Sequence, residues 1–276
     1  MSVSEAEQSR IDRDNKRFWN ELCGSSLARS LGIVDDGPAS LQRFDDWFMG
    51  YYPYLERHIP FEALAGRRVL EIGLGYGTVA QRLMQAAAAY HGLDIAAGPA
   101  QMAAHRARQL GVEAVIIQGS VLSCPFGDDT FDWVVTIGCL HHTGQLARGI
   151  GEVRRVLKPR GRAVMMVYNA ASYRQWTAYF RGTLKQRLAP ASRGGNGNLP
   201  VASTTAYDAN AQGEAAPQTE FVTRRELEYI CRQFAECYIV RENIGADGAF
   251  RWLPRRPACR LFGPLLGLDL YCHVRK

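Results

Sequence analysis

Short apolar runs bounded by polar or glycine-rich residues recur along the middle and the end of the chain. They predict strands at roughly 68–72, 90–94, 113–118, 131–137, 162–168, 236–242 and 268–274. Stretches with helical periodicity alternate with them at 77–88, 98–110, 144–157 and 223–234. The last opens on Thr223-Arg224-Arg225-Glu226, a capping box ahead of Leu227, Ile230 and Phe234. Strands alternating with helices imply an α/β fold with a doubly wound, parallel sheet. From Leu268 to Val274 apolar and polar residues alternate, as they do in a partly exposed strand. No internal repeat interrupts the pattern.

Three segments fall outside this alternation. Residues 1–61 are expected to form a helical cap ahead of a main domain at 62–276. Within them Phe44, Trp47, Phe48, Tyr51, Tyr52, Tyr54 and Phe61 crowd together. These aromatics occupy more than one helical face, so some should line a cavity while others pack on the sheet. Phe18 and Trp19 are candidates to close over the same space. The insertion at 169–222 begins amphipathic and aromatic, then turns polar from Ser192 to Gln218, which predicts a lid. The insertion at 243–267 is rich in arginine and proline and should lie on one rim of the sheet.

Of the 276 residues, 47% are hydrophobic and 22% charged, enough apolar surface for a full core. The net charge of +6 mildly favours anionic partners. Arg251, Arg255, Arg256 and Arg260, with Trp252 among them, could contact RNA or an acidic membrane, but a solvated face is the simpler reading. The seven cysteines (23, 124, 139, 231, 237, 259 and 272) form no C-x-x-C and show no zinc spacing. Reduced thiols in a cytoplasm and no metal site are therefore expected. The polar N-terminus reads as neither signal peptide nor anchor, and no apolar run has the length of a membrane span.

The densest chemical signal is Val69-Leu70-Glu71-Ile72-Gly73-Leu74-Gly75-Tyr76-Gly77, a strand running into an E-x-G-x-G-x-G turn and then a helix. Glycines allow a sharp turn and close approach of a ligand, and the helix start offers unpaired N–H groups. Such a unit binds a nucleotide-like cofactor. The alternating glycines depart from the G-x-G-x-x-G of dinucleotide sites. An acid two residues before the first glycine would repel a pyrophosphate, whereas a cofactor with a cationic end tolerates it. A second strand ends in Asp94, where a carboxylate can accept hydrogen bonds from ribose hydroxyls.

These features, together with two later segments, resemble the class I S-adenosylmethionine (SAM)-dependent methyltransferases, of the small-molecule, methyltransferase type 11-like kind. Gln118 to Thr136 is similar to the family's "GD-x-x-x-LPF-x-D-x-x-FD-x-V" segment, and Glu152 to Arg162 to its "E-x-x-R-V-L-K-P-G-G" segment. The motifs keep the family's order over about residues 66–168. The resemblance implies a Rossmann-like sheet of seven strands, mostly parallel, with the last strand antiparallel next to the fifth. It implies SAM as cofactor and S-adenosylhomocysteine as product. Glu71 and Gly73 would face the methionine end, with Gly75 and Gly77 shaping the turn. Asp94 and Ile95 would take the ribose and one adenine face. Gly119, Ser120 and Val121 would edge the adenine, and Ile137 would lie beneath the sulfonium. One departure is Ser120, where the family usually has an acid.

Methyl transfer from a sulfonium needs alignment in a dry pocket, and needs a base only if the acceptor must lose a proton. His141 and His142, in the loop after the fourth strand, are the best-placed titratable side chains, with His141 first. A metal held by these two is not expected, since no third ligand has useful spacing. The implied activity is methylation of a small molecule or small peptide, in bacterial secondary metabolism. The alternatives are an RNA or protein methyltransferase, or an inactive SAM-binding partner subunit.

Overall fold

Val69, Leu70 and Ile72 are at most 2% exposed, so both faces of the strand that carries them are covered, as in the middle of a parallel sheet. The computed structural model describes residues 3–20, 28, 30–33, 35–86, 88–191, 207–210, 212–246 and 250–276. Helices α1 (Glu5–Asn20), α2 (Pro38–Tyr51) and α3 (Leu55–His58) precede β1 (Arg68–Ile72). There follow α4 (Thr78–Gln85), β2 (Ala89–Asp94), α5 (Ala97–Leu110), β3 (Val115–Gln118), β4 (Phe131–Ile137), α6 (Leu146–Val156) and β5 (Leu157–Tyr168). The chain closes with α7 (Tyr173–Ala178), α8 (Phe180–Leu188), α9 (Arg224–Ile230), β6 (Glu236–Glu242), α10 (Arg255–Leu266) and β7 (Asp269–Arg275).

The seven strands form one sheet in the order β3-β2-β1-β4-β5-β7-β6. The pairs from β3 to β5 are parallel, and β7 runs antiparallel between β5 and β6. This is the Rossmann-like arrangement that the motifs imply. Alternate residues of each strand feed two core layers. Leu70 and Ile72 pack with α6 and α9 through Ile150, Val153 and Leu227. Val69 packs on the opposite side with Leu83, Ala103 and Tyr54, from α4, α5 and the N-terminal segment.

Two elements depart from the sequence expectation. The fifth strand starts at Leu157, directly after α6, because Phe131 pairs with Leu157 across an irregularity before regular pairing resumes at Trp133 and Arg162. Arg160 adopts φ 65° in this stretch, a left-handed conformation uncommon for a side-chain-bearing residue. The 243–267 segment contains a helix, α10, despite its prolines. Pro257 sits in the first helical turn, where the missing N–H would have had no intrahelical partner. The capping box is formed in full: Thr223 Oγ1 accepts the Glu226 N–H at 3.2 Å, and Glu226 Oε2 accepts the Thr223 N–H at 2.7 Å.

Within the arginine run, Arg255 is spent internally. It donates to the Tyr51 carbonyl at 2.8 Å and to Asn243 Oδ1 at 2.7 Å. No described helix is long and apolar enough to cross a membrane.

Candidate functional site

The glycine turn after β1 is built by three left-handed residues, Gly73, Gly75 and Gly77, at φ 82°, 50° and 75°. They differ in what restricts them. A Cβ on Gly73 would lie 2.5 Å from the Cβ of Cys139, and one on Gly77 would lie 2.8 Å from Cδ of Arg106. A Cβ on Gly75 would meet nothing within 4 Å, since it points into open space.

Asp94, at the end of β2, braces this turn. Its Oδ2 accepts the Leu74 N–H at 2.7 Å and its Oδ1 accepts the Ala96 N–H at 2.8 Å. Burial nonetheless pushes its pKa up to about 6. Glu71 is 3% exposed and accepts the Tyr90 hydroxyl at 2.7 Å. Desolvation raises its pKa to about 8, outweighing the Tyr90 hydrogen bond that favours ionisation.

Behind the turn lies an ion pair that sequence reasoning missed. Arg106 is fully buried, and its guanidinium bonds both Asp45 oxygens at 2.7 and 2.8 Å, Gln81 Oε1 at 2.6 Å and the Tyr76 carbonyl at 2.7 Å. Asp45 also accepts the Thr78 hydroxyl at 2.6 Å, so α2 is fastened to the start of α4. Nothing in the spacing of Asp45 and Arg106 announces the contact.

From the turn a cavity of about 470 Å³ runs to the loop after β4. Glu71, Gly73, Gly75, Asp94, Ile95, Gly119, Ser120, Val121 and Ile137 all line it. Gly77 does not; it caps α4 from behind. The Ser120 hydroxyl accepts the Leu122 N–H at 3.3 Å, capping the 3-10 turn Val121–Ser123. Of the aromatic cluster, Phe44, Trp47, Phe48, Tyr51 and Tyr52 line the cavity, joined by Trp19, while Tyr54 and Phe61 are buried in the core.

The two histidines separate. His141, the first choice on sequence, does not line the cavity. It is fully buried, with its ring 4.1 Å from that of Tyr168 and 4.2 Å from that of His142. Desolvation and the neighbouring His142 hold its pKa well below the usual histidine value. The 3-10 turn Leu140–His142 directs the adjacent side chains differently, so His142 alone reaches the cavity wall. His142 Nδ1 donates to the Gln218 carbonyl at 2.6 Å, which fixes the tautomer and leaves the Nε2 lone pair available. Nε2 lies 3.5 Å from Oδ2 of Asp208. Burial lowers the His142 pKa more than Asp208 raises it, so the ring is neutral near pH 7.

Asp208 and Tyr207 also line the cavity and come from the polar insertion. Sequence reading identified that segment only as a lid; its residues 192–206 and 211 lie outside the described residues. Tyr168 donates to Asp208 at 2.8 Å, joining the end of β5 to the insertion.

Residues 70–165 match the family profile described as "Methyltransferase domain". An uncharacterized methyltransferase, YcgJ of Bacillus subtilis, is 34% identical over 110 residues, 40% of this chain and 44% of the relative. A phthiotriol/phenolphthiotriol dimycocerosates methyltransferase of Mycobacterium leprae is 30% identical over 155 residues, 52% of this chain and 57% of the relative. The chain thus spans about half the length of these curated relatives. Among solved structures, a SAM-dependent methyltransferase from Thermotoga maritima superposes with a TM-score of 0.53 at 18% identity, covering 86% of this chain and 95% of that one, a likeness of fold.

Proposed function

We propose that the chain uses the methyltransferase domain matched at residues 70–165, with SAM as donor, to methylate a small, largely apolar acceptor held against His142. The observation that carries this reading is the continuous cavity. Its wall brings together the glycine turn, two buried carboxyls and a neutral histidine whose Nε2 makes no hydrogen bond among the described residues.

The residues fit SAM. Open space faces the α-carbon of Gly75, and Glu71 and Asp94 offer carboxyls that a cationic ligand would help ionise. When bound, SAM supplies an electrophilic methyl on a sulfonium whose departure leaves a neutral thioether. This chain's part is to align, exclude water and move a proton. Asp94 would orient the ribose while holding the turn. The aromatic side chains of α1 and α2 give the acceptor an apolar wall. His142 Nε2 would take a proton from an acceptor hydroxyl or carbon acid, and the imidazolium formed would be stabilised by Asp208.

The acceptor class rests on the cavity's lining of Trp19, Trp47, Phe48 and Tyr51. It suits an aromatic or otherwise apolar metabolite; the Mycobacterium leprae relative is named for phthiotriol/phenolphthiotriol dimycocerosates, and a role in bacterial secondary metabolism is part of this proposal. A nucleic-acid acceptor is disfavoured because Arg255 of the basic run is engaged by Tyr51 and Asn243.

Calorimetric titration with SAM tests the reading. Wild-type protein should bind, and Asp94→Ala should bind about 1.5–3 kcal/mol more weakly, roughly ten- to hundredfold. No binding by a folded wild-type protein would overturn it.

A further inference from the structure

Three cysteines distant in sequence meet at the sheet edge formed by β6 and β7. These strands pair so that Cys237 faces Val274 and Ile239 faces Cys272. Side chains two residues apart share a face, so Cys237 and Cys272 are diagonal neighbours. The 3-10 turn Cys231–Gln233, which follows α9, brings a third thiol to the same place. Sγ of Cys272 lies 3.7 Å from Sγ of Cys231 and 3.7 Å from Sγ of Cys237. All three sulfurs lie within 4.8 Å of one another, and none belongs to the cavity lining.

We propose that Cys231, Cys237 and Cys272 form a three-thiolate site for a soft divalent metal ion, zinc foremost, with its fourth position open to solvent beside Cys237. Zn–S bonds of about 2.3 Å in tetrahedral geometry place sulfurs about 3.8 Å apart. Two sides of the triangle already have that length, and the third needs to close by no more than about 1 Å. A disulfide, by contrast, requires sulfurs about 2.05 Å apart, so either close pair would have to move much further. An all-sulfur donor set selects zinc or copper(I) over magnesium or calcium.

The surroundings suit an ion at this point. Cys231 and Cys272 are buried among Leu227, Phe234, Ile239 and Val274, a dry shell that protects metal–thiolate bonds. Cys237 is exposed and provides the way in. The charge of Arg224 acts on Cys237 and favours a thiolate formed there on metal binding. Binding forms three metal–sulfur bonds and releases the thiol protons to solvent, with no change of oxidation state. The product carries one net negative charge, which Arg224 partly offsets.

The ion would tie α9 to the sheet edge. That helix directly follows residues 218–223, and the Gln218 carbonyl in that stretch fixes His142. Metal occupancy would therefore stabilise the support of the cavity without entering it.

The test is anaerobic titration of the full-length protein, kept reduced by a phosphine, with cobalt(II) followed by competition with zinc(II). The expected result is one ion per chain, sulfur-to-cobalt charge-transfer absorption, and its loss on adding zinc. Cys237→Ser, a change at an exposed position that should leave the fold intact, should weaken binding by more than about tenfold, since even losses beyond the direct ligands reach that size. Absent charge-transfer absorption, or equal affinity in wild type and Cys237→Ser, would overturn the proposal. So would a Cys237–Cys272 disulfide that forms on mild oxidation equally fast with and without zinc.

Discussion

Asp208 Oδ2 lies 3.5 Å from Nε2 of His142 and accepts the Tyr168 hydroxyl at 2.8 Å. The carboxylate is thus placed to stabilise an imidazolium that forms only when His142 takes a proton. With Nδ1 held by the Gln218 carbonyl, the neutral ring keeps a buried Nε2 that makes no hydrogen bond among the described residues and lies beside Asp208, in a residue that lines the cavity. His142→Ala should lower turnover about 10²–10⁴-fold for an acceptor that must be deprotonated, with SAM affinity nearly unchanged. Because burial sets the His142 pKa below its usual 6.5, kcat/KM should be flat near neutrality and fall in acid, through that lowered value. Wild-type kinetics in His142→Ala, measured by S-adenosylhomocysteine release, would remove the residue from the chemistry.

A second expectation concerns proton uptake at Glu71. Burial raises its pKa from 4.5 to about 8, so the ligand-free folded state keeps a proton that the unfolded chain has lost. The group therefore favours the folded state least at high pH, and its contribution declines between about pH 4.5 and 8. A cationic ligand beside Glu71 favours the carboxylate, so binding should release a proton below pH 8. SAM affinity should rise with pH and level off above about 8. Calorimetry in two buffers of different ionisation enthalpy measures the release, and Glu71→Gln should abolish most of it. An affinity independent of pH from 6 to 9 would contradict this assignment.

The glycines of the turn should respond differently to the same change. Gly73→Ala forces a Cβ within 2.5 Å of Cys139 at a left-handed residue, so it should lower thermal stability as well as binding. Gly75→Ala meets no protein atom and sits at φ 50°, within the left-handed region open to other residues at modest cost. Its melting temperature should stay closer to wild type while SAM affinity falls, because the methyl projects into the space a ligand would use. A Gly75→Ala protein with unaltered affinity would show that the ligand does not approach there.

Much of this was legible in the chain. Period and turn chemistry located all seven strands, because buried strands such as Val69–Ile72 have a local apolar signature. The motif residues from Glu71 to Ile137, Gly77 excepted, gather around one cavity because they sit at consecutive carboxyl ends of parallel strands. What escaped was set by tertiary contact. Which of two adjacent histidines faces the cavity depends on the turn Leu140–His142, and no periodicity encodes it. Asp208 lies in a polar stretch without pattern, and Cys272 reaches Cys237 only through antiparallel pairing.

The Asp45–Arg106 pair gives the last prediction. Both charges are buried, and the pair fastens the aromatic helix α2 to the start of α4, next to the glycine turn. Removing one partner leaves the other charge desolvated and uncompensated, which costs about 3–5 kcal/mol. Asp45→Leu and Arg106→Leu should each destabilise on that scale in urea unfolding. The double variant should recover a large part of the loss, because two apolar side chains leave no unpaired charge. Stability and function should then part. The double variant keeps a packed core but loses the Thr78 hydrogen bond and the hold on Tyr76, whose ring stacks 4.1 Å from Phe44 at the cavity wall. SAM affinity should remain reduced in it even where stability is restored. Wild-type affinity in a restabilised double variant would assign the pair to the fold alone.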